Sequence, residues 1–139
     1  MPLSQEYRII YEEAFANMPL HQFMGIKLID FADGTAETRT PMSANLENAI
    51  GRLHGGVQYV ICDITGAAAV ASMVGDKKFL VTNDIHISVV RTISSGELVA
   101  RAKVLRMGRR LAFVESRIYD ENDILLSSAQ VTKTLLDPR

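Results

Sequence analysis

The sequence predicts an α+β layer fold: one long buried helix against an antiparallel sheet of about six strands, with a short helix at the N-terminus. Three observations predict it. Between His54 and Gly75 the chain carries one formal charge, Asp63, in a run of apolar and small residues long enough for about five helical turns. A helix that is hydrophobic nearly all round is a buried helix. Two strand-like runs precede this stretch and four follow it, with apolar and polar side chains alternating as a half-buried strand requires. The links Ser94-Ser95-Gly96, Gly108-Arg109 and Glu121-Asn122-Asp123 are short, and short links imply antiparallel neighbours.

In chain order, Ser4 to Met18 reads as an amphipathic helix, with Tyr7, Ile10, Tyr11, Ala14, Phe15 and Met18 at three- and four-residue spacings. Ser4 is placed to cap it and Pro19 to end it. His21 falls in the following connection as a surface or capping histidine. Gly25 to Phe31 and Thr35 to Met42 read as strands joined at Ala32-Asp33-Gly34, a hairpin signal because glycine tolerates the positive φ such turns need. Thr35, Glu37 and Arg39 alternate with Ala36, Thr38 and Thr40, so this pair has one wet face. The loop Ser43 to Arg52 leads into the long helix, and Gly75-Asp76-Lys77-Lys78 forms a solvated turn behind it. Phe79 to Val90, Glu97 to Met107, Arg110 to Tyr119 and Ile124 to Leu135 are the remaining strands. In the second of these Leu98, Ala100, Ala102 and Val104 share one face, and Glu97, Arg101 and Lys103 the other.

At 139 residues the chain reads as one domain spanning residues 1–139, large enough to bury about two-thirds of its unfolded surface. A net charge of -1 leaves no basic footprint for nucleic acid. Cys62 is the only cysteine; it sits inside the apolar helix, so no disulfide forms within the chain and a reducing compartment fits. No charged and then apolar leader opens the sequence. Val57 to Val74 approaches membrane-spanning length but contains Gln58, Asp63, Thr65, Gly66 and Ser72, and a central Asp is expensive in lipid. The expectation is a cytoplasmic protein without a membrane segment. No His, Cys and Asp spacing points to a metal, and neither a nucleophile elbow nor a phosphate-binding loop appears.

Asp63 is the position that asks for chemistry. An unpaired carboxylate on a buried helix costs several kcal/mol, so it needs a partner, a raised pKa or a water-filled cleft. At the front of the same helix, Gly55 and Gly56 have no Cβ to obstruct a ligand. The first helical N–H groups lack internal partners and lie at the positive end of the helix dipole. A developing oxyanion would be held there, by donors that each contribute on the order of 3 kcal/mol to a transition state.

The pattern Asn48-x-x-Gly51-x-x-His54-Gly55-Gly56 followed by Asp63 resembles the hotdog-fold acyl-CoA thioesterases of the phenylacetate-degradation type, in the 4-hydroxybenzoyl-CoA thioesterase superfamily. In weaker form the likeness runs from about Gly25 to Leu135. The resemblance implies a hotdog fold, an acyl-CoA substrate, no cofactor, and active sites shared across a homodimer, two of which pair into a homotetramer. It also implies that Asn48 orients the thioester carbonyl or the water, and that Thr82 supplies a hydroxyl near the attacking water. Capping a turn is the alternative for Asn48, and an ordinary strand residue for Thr82.

Geometry agrees with the shared site. Gly55 and Asp63 are eight residues apart, roughly 12 Å along a helix axis, whereas a reacting carbon must lie about 3 Å from both oxyanion donors and attacking group. If both act, they come from two chains. Gly55 then holds the oxyanion, and Asp63 serves as general base on water or as nucleophile. His54 contacts the thioester region or fixes the loop. The small face of Gly66, Ala67, Ala69 and Ala71 invites a neighbouring helix or sheet, and Leu46, Tyr59 and Met73 are candidates for an acyl pocket. Arg106, Arg109 and Arg110 flank Gly108 as a cationic cluster for the phosphates of coenzyme A, with a solvated hairpin tip as the alternative. Rival functions are a hotdog dehydratase or hydratase using His54 with Asp63, and a non-catalytic acyl-CoA-binding module.

Overall fold

The computed structural model describes residues 3–138. Helix α3, Gly55–Val74, runs unbroken for 20 residues. His54 caps its start by accepting the Gly56 N–H at Nδ1, 2.9 Å away. Ile61, Cys62, Thr65, Gly66, Ala68, Ala69, Val70, Ala71 and Ser72 are all buried. Their small size lets the sheet come close: a Cβ on Gly66 would stand 3.4 Å from Ser116 Oγ and 3.5 Å from Val114 Cγ1. The small face expected to receive a neighbour therefore packs mainly on the chain's own sheet. Polar atoms on that face are paired across the layer, with Thr65 and Thr38 hydroxyls 2.7 Å apart and Ser116 Oγ donating to the Cys62 carbonyl at 2.9 Å.

Six strands wrap this helix: β1 Lys27–Ala32, β2 Thr35–Pro41, β3 Phe79–Val89, β4 Glu97–Met107, β5 Leu111–Tyr119 and β6 Leu125–Leu136. Neighbours are antiparallel throughout, in the order β1-β2-β4-β5-β6-β3. Asp33 and Gly34 close the first hairpin at φ 50° and 80°, the double positive φ of a type I′ turn. Ala36, Thr38 and Thr40 face the core, which bears out the alternation read for β2.

The neighbour rule fails once. β3 and β4 do not pair, and β3 instead forms the far edge beside β6. The chain between them crosses the front of α3 and is tied down there: Gln58 Nε2 donates to the Arg91 carbonyl at 3.2 Å, and Leu53 N–H to the Ile93 carbonyl at 2.8 Å. These anchors replace the ladder that a hairpin would have made.

Helix α1, Gln5–Asn17, is capped by Ser4, whose Oγ accepts the Tyr7 N–H at 3.1 Å. Pro19 ends it by opening a second helix, α2, Pro19–Met24, a position where its missing N–H costs nothing. His21 lies inside α2 and is 5% exposed, so the expected surface or capping histidine is a core residue. Its Nδ1–H donates to the Phe15 carbonyl at 2.9 Å, and its ring packs on Phe15 at 4.2 Å between centroids. Phe15 anchors α1 in the core, and α3 fills the centre of the sheet as two continuous apolar clusters.

Candidate active site

Asp63 stands on the third turn of α3, and the strands beyond supply its partners. Thr82 on β3 and Lys133 on β6 are directly opposite each other in register. A bulge after Thr82 shifts the register before Asp84; such bulges re-aim side chains. Thr82 Oγ1 donates to Asp63 Oδ1 at 2.7 Å, Lys133 Nζ donates to the same oxygen at 2.5 Å, and Lys133 Nζ also reaches Thr82 Oγ1 at 2.6 Å. The three side chains close a triangle on one carboxylate oxygen. Oδ2 has no hydrogen-bond partner among the described residues. The Lys133 side chain is 4% exposed and that of Asp63 32%, so the cation is inside and the acid opens outward.

Asp63 opens onto a cavity of about 220 Å³ between α1 and α3, walled by Tyr11, Ala14, Phe15, Met18, His21, Ile64 and Ala67. The lining is almost entirely apolar. Burial pushes the Tyr11 hydroxyl above the usual phenol range, with the neighbouring Tyr7 adding to it. It also pulls His21 below the usual imidazole value, against the opposing effect of its bond to the Phe15 carbonyl. Both side chains are thus neutral walls near pH 7. Cys62, next to the acid but turned into the core, has its thiol pushed up to about 12 by burial. It behaves as a small hydrophobe.

The other sequence candidates lie at the opposite end of α3. Gly55 is its first residue, and its N–H has no acceptor among the described residues. Nothing lies within 4 Å of where a Gly55 Cβ would be. Gly56 is committed instead to the cap on His54 Nδ1, which fixes the ring proton on Nε2. Asn48 Oδ1 accepts the N–H groups of Ile50 and Arg52, both at 3.0 Å, so its oxygen closes the loop Asn48–Arg52 while its Nδ2 keeps its donors. Gly55 and Asp63 sit on one straight helix about 12 Å apart along its axis. The fold brings Asp63, Thr82 and Lys133 together in one chain but does not bring Gly55, His54 or Asn48 to them.

Arg106, Arg109 and Arg110 are exposed around the β4–β5 hairpin. Of the residues considered for an acyl pocket, Leu46 is 1% exposed inside the core, while Tyr59 and Met73 are surface residues. None of the three lines the cavity beside Asp63. Lys133 was missed by sequence reasoning, although a signal was present. It occupies the inward phase of β6, in step with Ala129, Val131 and Leu135, where an ammonium is out of place unless it is paired. A wider groove of about 660 Å³ on the far face of the sheet is lined by Glu37, Arg101, Glu115 and Arg117. Four of its charges pair off, Arg101 with Glu37 at 3.1 Å and Arg117 with Glu115 at 2.9 Å.

A long helix wrapped by a six-stranded antiparallel sheet in this order is a hotdog fold, and the class is that of thioester hydrolases. The sequence profile of the thioesterase superfamily matches residues 50–127, and the chain belongs to that superfamily. It is 26% identical over 114 residues to the 1,4-dihydroxy-2-naphthoyl-CoA hydrolase of Escherichia coli, covering 82% of this chain and 84% of that protein. Among solved structures it is similar to the conserved protein PA5202 of Pseudomonas aeruginosa, at 30% identity and a TM-score of 0.83, covering 96% of this chain and 100% of that one. The PaaI protein of the Escherichia coli phenylacetic acid degradation operon shares the fold at 19% identity, with a TM-score of 0.86 and 96% of each chain covered.

Proposed function

We propose that this chain is an acyl-CoA thioesterase acting on aryl or medium-chain acyl groups, at two equivalent sites each built from two copies. One observation carries the reading: the only charge on α3, Asp63, is held by one oxygen at the mouth of an apolar cavity, with its other oxygen unpartnered. A cavity of about 150 Å³ suffices for benzene, so about 220 Å³ suits one substituted ring or a medium chain.

In this reading water lies between Asp63 Oδ2 and the thioester carbon. Asp63 takes a proton as the water oxygen forms its bond to carbon. The Gly55 N–H of the other copy holds the oxyanion, and the Asn48 side-chain amide donates beside it. Collapse breaks the C–S bond, and the departing thiolate takes up the proton from Asp63, leaving a carboxylic acid and free CoA. Thr82 and Lys133 hold the base in place, His54 holds the turn that presents Gly55, and Arg106, Arg109 and Arg110 meet the CoA phosphates.

The two-copy site is supported by the edge strand. β3 is 11 residues long and paired on one side only, with Phe79, Val81 and Val89 exposed along it and Val90 beyond. Long apolar edges invite a further strand, and a second β3 arriving antiparallel satisfies both about a two-fold axis. Pairing of two such dimers gives the expected homotetramer. The hydratase alternative needs a free histidine near the acid. His54 Nδ1 is instead taken by the Gly56 N–H as the cap of α3, so that nitrogen is not free to act as a base.

Release of free CoA thiol from benzoyl-, phenylacetyl-, hexanoyl- and palmitoyl-CoA, beside an Asp63→Asn control, tests the reading. Turnover of the first three, falling on the order of 10²- to 10⁴-fold in the variant, is the expected result. Undiminished turnover in Asp63→Asn removes the carboxylate from the mechanism. No turnover on any substrate by a folded protein favours the non-catalytic acyl-CoA binder.

A further inference from the structure

Lys133 buries an ammonium at a strand position whose phase calls for an apolar side chain. It projects from the inward face of β6 among Ala129, Val131 and Leu135, and its side chain is 4% exposed. Taking such a group out of water costs several kcal/mol, and a well-packed apolar residue in place of a buried ion pair is often as stable or more so. Nor does the acid require it for solvation, because the Asp63 side chain is 32% exposed. The pair is therefore a poor device for stability alone.

Its geometry is specific. Lys133 and Thr82 are cross-strand partners, and both donate to Oδ1 of Asp63 while Lys133 also donates to the Thr82 oxygen. Two donors on one oxygen, themselves linked, fix both the position and the rotation of the carboxyl group. We infer that Lys133 is a positioning residue: its ammonium, braced by Thr82, clamps Oδ1 so that Oδ2 is the oxygen offered to the attacking water. This rests on the reading of Asp63 as the general base.

The experiment compares kcat and KM of the native protein, Lys133→Met and Lys133→Ala on the best of the acyl-CoA substrates above, with far-ultraviolet circular dichroism as the check on folding. Misplacing a reacting group by about 1 Å costs on the order of 100-fold. A kcat loss of that order with KM within about twofold is expected in both variants. Added propylammonium or butylammonium should raise kcat of Lys133→Ala at least tenfold, and neutral 1-butanol should not. A ligand that merely refills space would act whether charged or not.

Native kcat in folded Lys133→Met overturns the inference, as does equal rescue by the alcohol and the amine. Should Lys133→Ala fail to fold, the kcat and KM of Lys133→Met decide the question. Full activity in Asp63→Asn overturns both this inference and the reading it rests on. An inactive Asp63→Asn beside a fully active Lys133→Met overturns this one alone.

Discussion

At Gly55 a steric role and a structural one separate cleanly. A Cβ there meets nothing within 4 Å, and alanine is no worse a helix former than glycine. Gly55→Ala should therefore melt no lower than the native protein while its kcat/KM falls tenfold or more, since in the proposed reaction the new methyl stands where the thioester approaches the N–H. Differential scanning calorimetry beside the CoA-release assay checks both halves, and a parallel loss of stability and activity would leave Gly55 only a structural role at the start of α3. His21 gives the pH prediction. Burial lowers its folded pKa below the unfolded value of about 6.5, so the unfolded chain binds the proton more readily. The stability this contributes is present above about pH 6.5 and is lost as pH falls from there through the folded pKa. Melting temperature should drop over that window in the native protein and less steeply in His21→Asn; equal slopes would relieve His21 of the effect. The acid at 63 was legible as a problem because one charge on an apolar helix demands an answer. Its answer, Lys133, lies 70 residues away, and only strand phase hinted at it.

Helix α1 contributes more to the site than its distance in sequence suggests. Tyr11, Ala14 and Phe15 on one face of it, with Met18 just past its end, wall the cavity whose other side is Asp63, Ile64 and Ala67 of α3. Ala14→Phe should fill much of that space from an exposed backbone position, shortening the longest acyl group accepted and raising KM for phenylacetyl-CoA severalfold, with the melting temperature nearly unchanged. Equal activity across the substrate panel in both proteins would place the acyl group elsewhere. The elements themselves were readable because each carries its own local signal. Ser4 caps α1, the Asp-Gly pair makes the first hairpin, and period-two alternation marks β4. Strand order was not readable in the same way. The seven residues from Val90 to Gly96 look like a hairpin connection, yet hydrogen bonds to Leu53 and Gln58 pull them across the front of α3. Those contacts are tertiary and leave no local mark. His21 was misjudged for a similar reason: Pro19 stops one helix and starts another, and a short second helix turns the ring inward.

Across the whole molecule, the two halves of the proposed chemistry lie on one rigid rod. A continuous α3 keeps Gly55 and Asp63 of the same chain about 12 Å apart, and no rotation of side chains closes that gap. In the proposed dimer the open edge of β3 is the route by which a second α3 arrives. Each site then takes Gly55 from one copy and Asp63 from the other, which makes a prediction that a one-chain site does not. Gly55→Val and Asp63→Asn, each inactive alone, should recover activity when denatured together and refolded as a mixture. A mixed dimer carries one site with both faults and one with neither. With random pairing half the dimers are mixed, so roughly a quarter of native activity returns. The readout is CoA release against mixing ratio, with a maximum near equal amounts. A mixture no more active than its parts, although size-exclusion chromatography shows dimers, would mean that Gly55 and Asp63 do not serve one site. The oxyanion would then have to be held by a donor near Asp63 on its own chain.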